Sequence, residues 1–223
     1  MDSKSTEEGK VYYMGKYIIT INRQYGSGGR TMGLRLSEEL GIPFFDRDLL
    51  KIASEVSGIN EKLFAKVDEK HRGSIAKLGK LFKNVYEGQV EQPDSKGYTS
   101  VDNLYSIQAK AIEMLADGDE SCIIMGRCAD FILKDRDDVL SLFIHADDQF
   151  RLDSIKQKLS MGNDSEILKY MYRTDREKEG YYHYHTGRNW SDAKNYDLCL
   201  DSGKLGYDKC IEIIKGYLDV RFR

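Results

Sequence analysis

The chain has 223 residues, of which 40% are hydrophobic and 32% are charged, and its formal net charge is −3. This length allows one domain with a substantial core. The charge balance excludes a bulk basic excess and argues against nucleic acid as the main partner. The sequence contains no run of about 18 apolar residues, so no membrane span is predicted. The polar residues 1–13 are expected to form a flexible leader.

The four cysteines predict the compartment. They are Cys122, Cys128, Cys199 and Cys210, and they show no C-x-x-C spacing. Cys122 and Cys199 lie in apolar runs typical of buried strands. Reduced core cysteines in a cytoplasmic protein are the favoured interpretation, and a disulfide or metal role is the alternative.

The segment from Ile18 to Gly33 predicts a strand, a tight loop and a helix. A β-branched run is followed by a loop with three glycines in four residues, and then by Met32, Leu36 and Leu40 at helical spacing. Glycines let consecutive backbone N–H groups face one point, and the helix N-terminus adds partial positive charge. The layout predicts a phosphate-binding loop, and a plain glycine turn is the alternative.

Compared with the motif G-x-x-x-x-G-K-[ST], the loop is degenerate. The last three positions fall on Gly29, Arg30 and Thr31, so Arg30 stands where the motif has lysine, and Gln24 where it has the first glycine. A cation at a helix start is disfavoured by the helix dipole unless an anion lies between them. The Thr31 hydroxyl is a suitable ligand for Mg²⁺. A bound phosphate would balance both the charge of Arg30 and the partial positive charge of the helix start.

Two further strands place polar residues beside this loop. The short strand 42–45 precedes Asp46, and the strand 122–125 precedes Gly126 and Arg127. Strands joined by helices form parallel sheets, whose ligands bind beyond the carboxyl ends of the strands. We therefore expect Asp46 and Arg127 to lie near the loop, although a surface arginine in an ordinary turn is the alternative for Arg127.

The remaining pattern predicts helices between further strands at 139–144 and 196–200, which gives a five-stranded, three-layer α/β fold. Residues 61–83 carry an excess of four positive charges, and 87–100 read as a loop. A solvated helical face is favoured for 61–83 over a surface for RNA. The buried helical stripes are predicted to be Leu49, Ile52, Ala53 and Val56; Ile107, Ala111, Met114 and Leu115; Leu152, Ile155 and Leu159; and Ile211, Ile214 and Leu218.

Late in the chain, Arg173 and Arg176 are three residues apart, so on a helix they project from one face and repel each other unless anions balance them. Two guanidiniums that close over a polyphosphate suit phosphoryl transfer, because its transition state spreads charge over the transferred oxygens. The alternative is an exposed helix in which Arg173 pairs with Glu177.

With these features in this order, the chain resembles the cytidylate kinase-like family of P-loop nucleoside monophosphate kinases. The likeness runs over about 14 to 220 and is most specific in the segment from Arg23 to Arg30, in Gly126-Arg127 and in the strand at 196–198. The resemblance implies a three-layer α/β/α P-loop kinase fold with a five-stranded parallel sheet. It also implies one domain over 14–223, with a helical acceptor insertion at 58–105 and a lid at 160–190.

The resemblance also implies roles for single residues. Asp46 and Arg127 would bind the acceptor, Thr31 would bind Mg²⁺, and Arg30, Arg173 and Arg176 would be catalytic. The phosphates of the donor ATP would be held by Gly26, Ser27, Gly28, Gly29, Arg30 and Thr31.

Three departures from the family pattern concern the acceptor and turnover. Gly29-Arg30 replaces Gly-Lys, Met125 and Cys128 replace acids around the Gly-Arg pair, and Arg47-Asp48 replace Ser-Gly after Asp46. The leading hypothesis is a small-molecule kinase that uses ATP and Mg²⁺ on a nucleotide-like acceptor. A non-catalytic nucleotide-binding regulatory module and an RNA-binding protein are the alternatives, and the oligomeric state stays open.

Overall fold

The computed structural model describes residues 15–46, 48–64, 97–158 and 163–222. In these ranges five strands form one parallel sheet in the order β2-β3-β1-β4-β5. The strands are β1 (Ile18–Arg23), β2 (Phe44–Phe45), β3 (Cys122–Met125), β4 (Val139–His145) and β5 (Leu198–Asp201). The predicted α/β fold with a five-stranded parallel sheet is confirmed.

Strand β1 lies in the centre of the sheet. Ile18 pairs with Cys122 of β3 on one side and with Val139 of β4 on the other. Its β-branched residues are buried on both faces, as parallel sheets with helices on both sides require. The glycine-rich loop therefore leaves the sheet at the middle of its carboxyl edge.

Helices cover both faces of the sheet. On one face, α1 (Gly29–Leu40) and α7 (Ser202–Arg221) enclose a core with β1, β3 and β4. On the other face lie α2 (Asp48–Ser57), α3 (Val101–Asp117) and the short α4 (Ala129–Ile132). The expected core residues Met32, Leu36, Leu40, Ile211, Ile214 and Leu218 are all buried.

Two helices lie beyond the carboxyl edge. α5 (Asp148–Lys158) and α6 (Asp164–Thr186) pack on each other through Leu152, Ile155, Ile167 and Met171. Asn163 and Glu166 form a capping box at the start of α6, and Gly187 ends the helix in a left-handed conformation. Helix α6 thus crosses the predicted lid region as one continuous element.

Several details differ from the expectations. Met114 is 50% exposed and Val56 is 49% exposed, so both were wrongly placed in buried stripes. Helix α3 packs against both α2 and the sheet, and this turns Met114 to solvent. Cys199 is exposed although it was expected to be buried, whereas the other three cysteines are buried. Strand β5 begins at Leu198, two residues later than predicted.

Some predictions fall where the structure gives no description. These are the leader at 1–13, residues 65–83 of the basic stretch, residues 87–96 of the predicted loop, Leu159, and the start of the lid at 160–162. Among the helices in the described ranges, none combines the length and the apolar content needed to cross a bilayer.

Candidate functional site

The carboxyl edge of the sheet brings together residues from three strands. Arg23 ends β1, Asp46 follows β2, and Gly126 and Arg127 follow β3. All four line one cleft of about 220 Å³, which α6 closes from above with Thr174, Glu177, Lys178, Tyr181 and Tyr182. The structure therefore places Asp46 and Arg127, which were predicted from separate stretches, in a single cleft.

The glycine-rich loop presents free amides. Gly26 and Gly28 have φ angles of 84° and 81°. A Cβ at Gly28 would lie 2.3 Å from the Tyr207 ring, and one at Gly26 would lie 2.9 Å from the carbonyl oxygen of Arg151. In the described part of the chain, the amides of residues 26 and 28–31 have no hydrogen-bond acceptor. Such a row of N–H groups at a helix N-terminus is suited to anionic oxygens.

Two helices clamp the loop at Tyr25. The Tyr25 amide donates to Asp175 Oδ1 of α6 at 2.7 Å, and Arg151 Nε of α5 donates to the Tyr25 carbonyl at 2.8 Å. Arg151 Nη2 also donates to Asp175 Oδ2. The side chains of Arg151 and Asp175 are only 3% and 15% exposed. This buried pair fixes the loop from both sides.

Ser27 has a structural position in the loop. Its amide donates to the Gln24 carbonyl at 3.3 Å, and its hydroxyl reaches the carbonyls of Gln24 and Ile144. The Ser202 hydroxyl donates to the Ser27 carbonyl at 2.7 Å. Ser27 is fully buried, so it shapes the loop, and its predicted contact with the donor stays a prediction.

The predicted loop cation Arg30 turns toward the cleft rim. Its Nε donates to Asp46 Oδ2 at 2.8 Å, and its side chain is 60% exposed. The next residue, Thr31, accepts a hydrogen bond from Lys158 Nζ at 3.3 Å. Lys158, at the end of α5, is thus a second cation at the start of α1 that the sequence did not indicate.

Arg23 runs along the cleft floor. A Cβ at Gly29 would lie 2.7 Å from Arg23 Cβ, and one at Gly126 would lie 2.7 Å from Arg23 Nη1, so the side chain lies against both glycines. Burial lowers the pKa of Arg23, Asp46 opposes this, and Arg127 adds to the decrease. The Arg23 guanidinium makes no hydrogen bond or ion pair with any residue that the structure describes.

Lys178 of α6 closes the cleft beside the loop. Its Nζ donates to the Arg23 carbonyl at 3.1 Å and lies 3.5 Å from Asp175 Oδ1. The ammonium also lies 5.6 Å from the centre of the Tyr25 ring and 5.7 Å from that of Trp190. Burial, and then the charge of Arg23, lower the pKa of Lys178 to about 7. A lysine with such a pKa in a cleft marks a candidate functional site.

The backbone after β3 is in a rare conformation. Arg127 and Cys128 have φ angles of 59° and 56°, directly after Gly126 at 69°. Residues other than glycine seldom adopt positive φ, and such strain clusters at functional sites. The turn points Arg127 into the cleft instead of along the strand.

A buried polar network supports the cleft. Asp130 accepts from Asn22 Nδ2 at 2.8 Å and from the Tyr182 hydroxyl at 2.6 Å, and Asn22 Nδ2 also reaches the Tyr196 hydroxyl at 3.3 Å. Burial raises the pKa of Asp130 to about 6, against the two hydrogen bonds that favour the carboxylate. Because Asn22 and Tyr182 also line the cleft, the network fixes its walls.

The late arginine pair lies nearer to solvent. Arg173 is 61% exposed, lies 3.7 Å from Glu177, and stacks over the Tyr170 ring at 5.1 Å. Arg176 is exposed and lines a neighbouring depression that also contains Gln24. The catalytic role of both arginines stays a prediction, because the α6 side chains that hydrogen-bond to residues 23–25 are Asp175 and Lys178.

The site fits a metal ion that arrives with a phosphate. Within the described ranges, no group of three or more His, Cys, Asp or Glu side chains could hold a metal ion. The Thr31 hydroxyl stands in the first turn of α1 beside the free amides. Mg²⁺ usually keeps several waters and binds substrate phosphates with one or two protein ligands. Thr31 therefore fits Mg²⁺ that is carried mainly by a nucleotide, provided that its hydroxyl exchanges Lys158 Nζ for the ion.

Four contributors to the site were not assigned a role from the sequence: Arg23, Arg151, Lys158 and Lys178. Arg23 had one available signal, since a charged residue ends an otherwise buried, uncharged strand. Lys178 had another, since it follows Asp175 by three residues on the same helix. Arg151 and Lys158 had no local signal, because their contacts depend on how α5 packs.

Solved structures share this architecture. An uncharacterized protein from Eubacterium ventriosum is 24% identical, with a TM-score of 0.67, and the match covers 92% of this chain and 100% of that one. A shikimate kinase from Bacteroides thetaiotaomicron is 10% identical, with a TM-score of 0.50, and the match covers 91% and 98%. These likenesses show the fold. No curated protein matches the sequence.

A family model agrees with the site and the fold. The model of the cytidylate kinase-like family matches residues 18–204, which include the glycine-rich loop, the cleft and α6. Family and fold together support a nucleotide or small-molecule kinase. Because the match spans most of the sequence, the chain belongs to the cytidylate kinase-like family.

Proposed function

We propose that the protein is an ATP-dependent phosphotransferase that moves the terminal phosphoryl group of ATP to a nucleoside monophosphate or a similar small acceptor. The observation that carries this proposal is the row of amides at residues 26 and 28–31, which have no acceptor among the described residues and lie next to the cleft that contains Asp46 and Arg127. The amides would bind the donor phosphates. Asp46 and Arg127 would bind the acceptor.

In the proposed reaction, the bond between the terminal phosphorus and its bridging oxygen breaks, and the electron pair leaves on ADP. An acceptor oxygen forms the new bond, and any proton on an acceptor hydroxyl passes to solvent. Charge spreads over the transferred oxygens, so positioning and charge neutralisation supply the catalysis. We assign the neutralisation to Arg30, Arg173 and Arg176, with no covalent intermediate.

Thr31 would hold Mg²⁺ together with the phosphates of the nucleotide, and bound Mg²⁺ would neutralise charge on their oxygens. The proposal treats 14–223 as one domain, with 58–105 on the acceptor side and 160–190 as the lid. None of the four cysteines, which all lie in the described ranges, forms a disulfide; this fits a reducing compartment, and we place the protein in the cytoplasm.

One observation favours a second candidate, a non-catalytic nucleotide-binding regulatory module. Arg30, which stands where the motif has lysine, is bonded to Asp46, the residue assigned to the acceptor. If that ion pair persisted with nucleotide bound, Arg30 would not reach the transferred group and Asp46 would be closed to an acceptor. Such a chain would bind ATP without turnover.

ADP release separates the two candidates. The purified chain is given ATP and Mg²⁺ with nucleoside monophosphates or with shikimate, the latter because one similar structure is a shikimate kinase. The kinase predicts ADP release that requires one of these acceptors, together with a rise in melting temperature when ATP is added. The regulatory module predicts that rise without ADP release, and no response in either assay would overturn both.

The arginine pair is tested with the active acceptor. Arg173→Met and Arg176→Met should each lower kcat by about 100-fold or more, with a smaller loss of ATP affinity, if they stabilise the transition state. Arg35→Met is the matched control, because Arg35 lies on the outer side of α1, paired with Asp208 at 2.6 Å. An unchanged kcat in both variants would contradict their role.

A further inference from the structure

The loop of this chain leaves open which cation faces the phosphoryl group. Gly29 has no side chain that could carry a charge. Arg30 points to the rim of the cleft, where its Nε is 2.8 Å from Asp46 Oδ2. A guanidinium that is 60% exposed and already paired neutralises little further charge. As long as Arg30 stays paired with Asp46, the loop itself supplies no equivalent of the motif's lysine.

Arg23 supplies a cation from another element. It ends β1, its Cβ and Cγ lie 2.7 and 3.0 Å from the position of a Cβ at Gly29, and its Nη1 lies 2.7 Å from that position at Gly126. Any side chain at Gly29 or Gly126 would collide with it. The two glycines form a slot that leads the Arg23 guanidinium from the base of the loop into the cleft.

Two carboxylates, Asp46 and Asp175, act on the Arg23 guanidinium from a distance, and neither contacts it directly. Among the described residues, its guanidinium has neither a hydrogen bond nor an ion pair. The nearest candidates are engaged elsewhere, because Asp46 is bonded to Arg30 and Asp175 to Arg151. A partly buried guanidinium next to Arg127, with no direct partner in the described part of the chain, is costly, and a bound anion removes that cost.

We propose that Arg23 binds the phosphoryl group under transfer and supplies, from the end of β1, a cation that does not depend on Arg30 leaving Asp46. This inference rests on the proposed kinase function. Its position beside both the loop base and Arg127 lets one guanidinium reach the junction between the donor and the acceptor. A planar guanidinium can donate two parallel hydrogen bonds to phosphate oxygens, which a lysine cannot.

The test compares Arg23→Met, Arg23→Lys and the control Arg35→Met. Arg23→Met should lower kcat by about 100-fold or more, and Arg23→Lys should recover part of that loss. Arg23 has no hydrogen bond or ion pair among the described residues, and burial and Arg127 lower its pKa against the opposing charges of Asp46 and Asp175. Arg23→Met should therefore unfold without ligand at the same or a higher temperature than the natural chain. An unchanged kcat, or a loss of kcat matched by a lower unfolding temperature, would overturn the proposal.

A binding measurement separates this inference from the kinase proposal. Calorimetric titration with inorganic tripolyphosphate requires no acceptor. One outcome is that the natural chain binds tripolyphosphate, that Arg23→Met binds it at least about tenfold more weakly, and that no acceptor gives ADP. In that case the kinase proposal fails, and Arg23 remains an anion-binding residue. If Arg23→Met binds tripolyphosphate as the natural chain does, the inference about Arg23 fails. If neither chain binds tripolyphosphate, the inference about Arg23 fails, and ADP release alone decides the kinase proposal.

Discussion

Asp175→Ala is the sharpest test of how the glycine-rich loop is held. The substitution removes the acceptor of the Tyr25 amide, at 2.7 Å, and the carboxylate partner of Arg151. The side chain of Arg151 is only 3% exposed, so in this variant it would be a buried cation without its Asp175 carboxylate. Breaking a buried pair in this way costs about 3–5 kcal/mol.

The remaining contacts of Arg151 set the size of the effect. Its Nε keeps the Tyr25 carbonyl at 2.8 Å, and its Nη1 keeps Asp148 at 3.3 Å. We therefore expect the lower end of the range, about 3 kcal/mol. For a chain of this length, that loss corresponds to a decrease of roughly 6–12 °C in melting temperature.

The assay is urea unfolding followed by circular dichroism, with Glu179→Gln as the control. Glu179 is an exposed acid one helical turn after Asp175 on α6. In a double-mutant cycle, Asp175→Ala should lower the free energy of unfolding much less in the Arg151→Ala background than in the natural chain, because the two side chains form one unit. If Asp175→Ala unfolds within about 0.5 kcal/mol of the natural chain, or if the cycle is additive, the clamp does not hold the loop.

Two further predictions concern the loop and the pH dependence of stability. Gly28→Ala should lower the free energy of unfolding by at least about 1–2 kcal/mol, because φ is 81° and the Cβ would lie 2.3 Å from the Tyr207 ring. Adding Tyr207→Ala should recover only the part due to the collision; equal stability of Gly28→Ala and the natural chain would contradict the loop conformation. The pKa of Lys178 falls from 10.5 to about 7 on folding, so unfolding takes up a proton between these values, and stability should rise with pH across that range. The free energy of unfolding, measured with denaturant at pH 7, 8 and 9, should increase with pH more in the natural chain than in Lys178→Met. If the difference in free energy between the two chains stays constant with pH, the prediction is wrong.

Local patterns were sufficient to predict the sheet. The β-branched run of β1 and the helical spacing of Met32, Leu36 and Leu40 are encoded in adjacent residues, and the structure buries them as expected. Met114 was misplaced because α3 contacts both α2 and the sheet, so its buried surface is wider than one stripe and lies elsewhere on the helix. Which side of such a helix faces solvent depends on its neighbours.

The site was predictable only in part, for a related reason. Asp46 and Arg127 could be placed together because the carboxyl ends of parallel strands share one edge. The contacts of Asp175 with Tyr25, and of Lys178 with Arg23, join residues about 150 positions apart in the chain. They depend on where α6 crosses the loop, and no periodicity within α6 encodes that crossing.

The charges of the cleft restrict what can bind tightly. Arg23, Arg127 and Lys178 all line it, whereas its carboxylates, Asp46 and Glu177, are already shared with arginines outside this trio. The lowered pKa of Lys178 expresses the cost of this arrangement on one group, through burial and then through the charge of Arg23. A bound phosphate removes that cost, whereas a neutral sugar or nucleoside leaves it in place. Tight binding therefore requires an anion, either the terminal phosphate of the donor or an acceptor with its own negative charge.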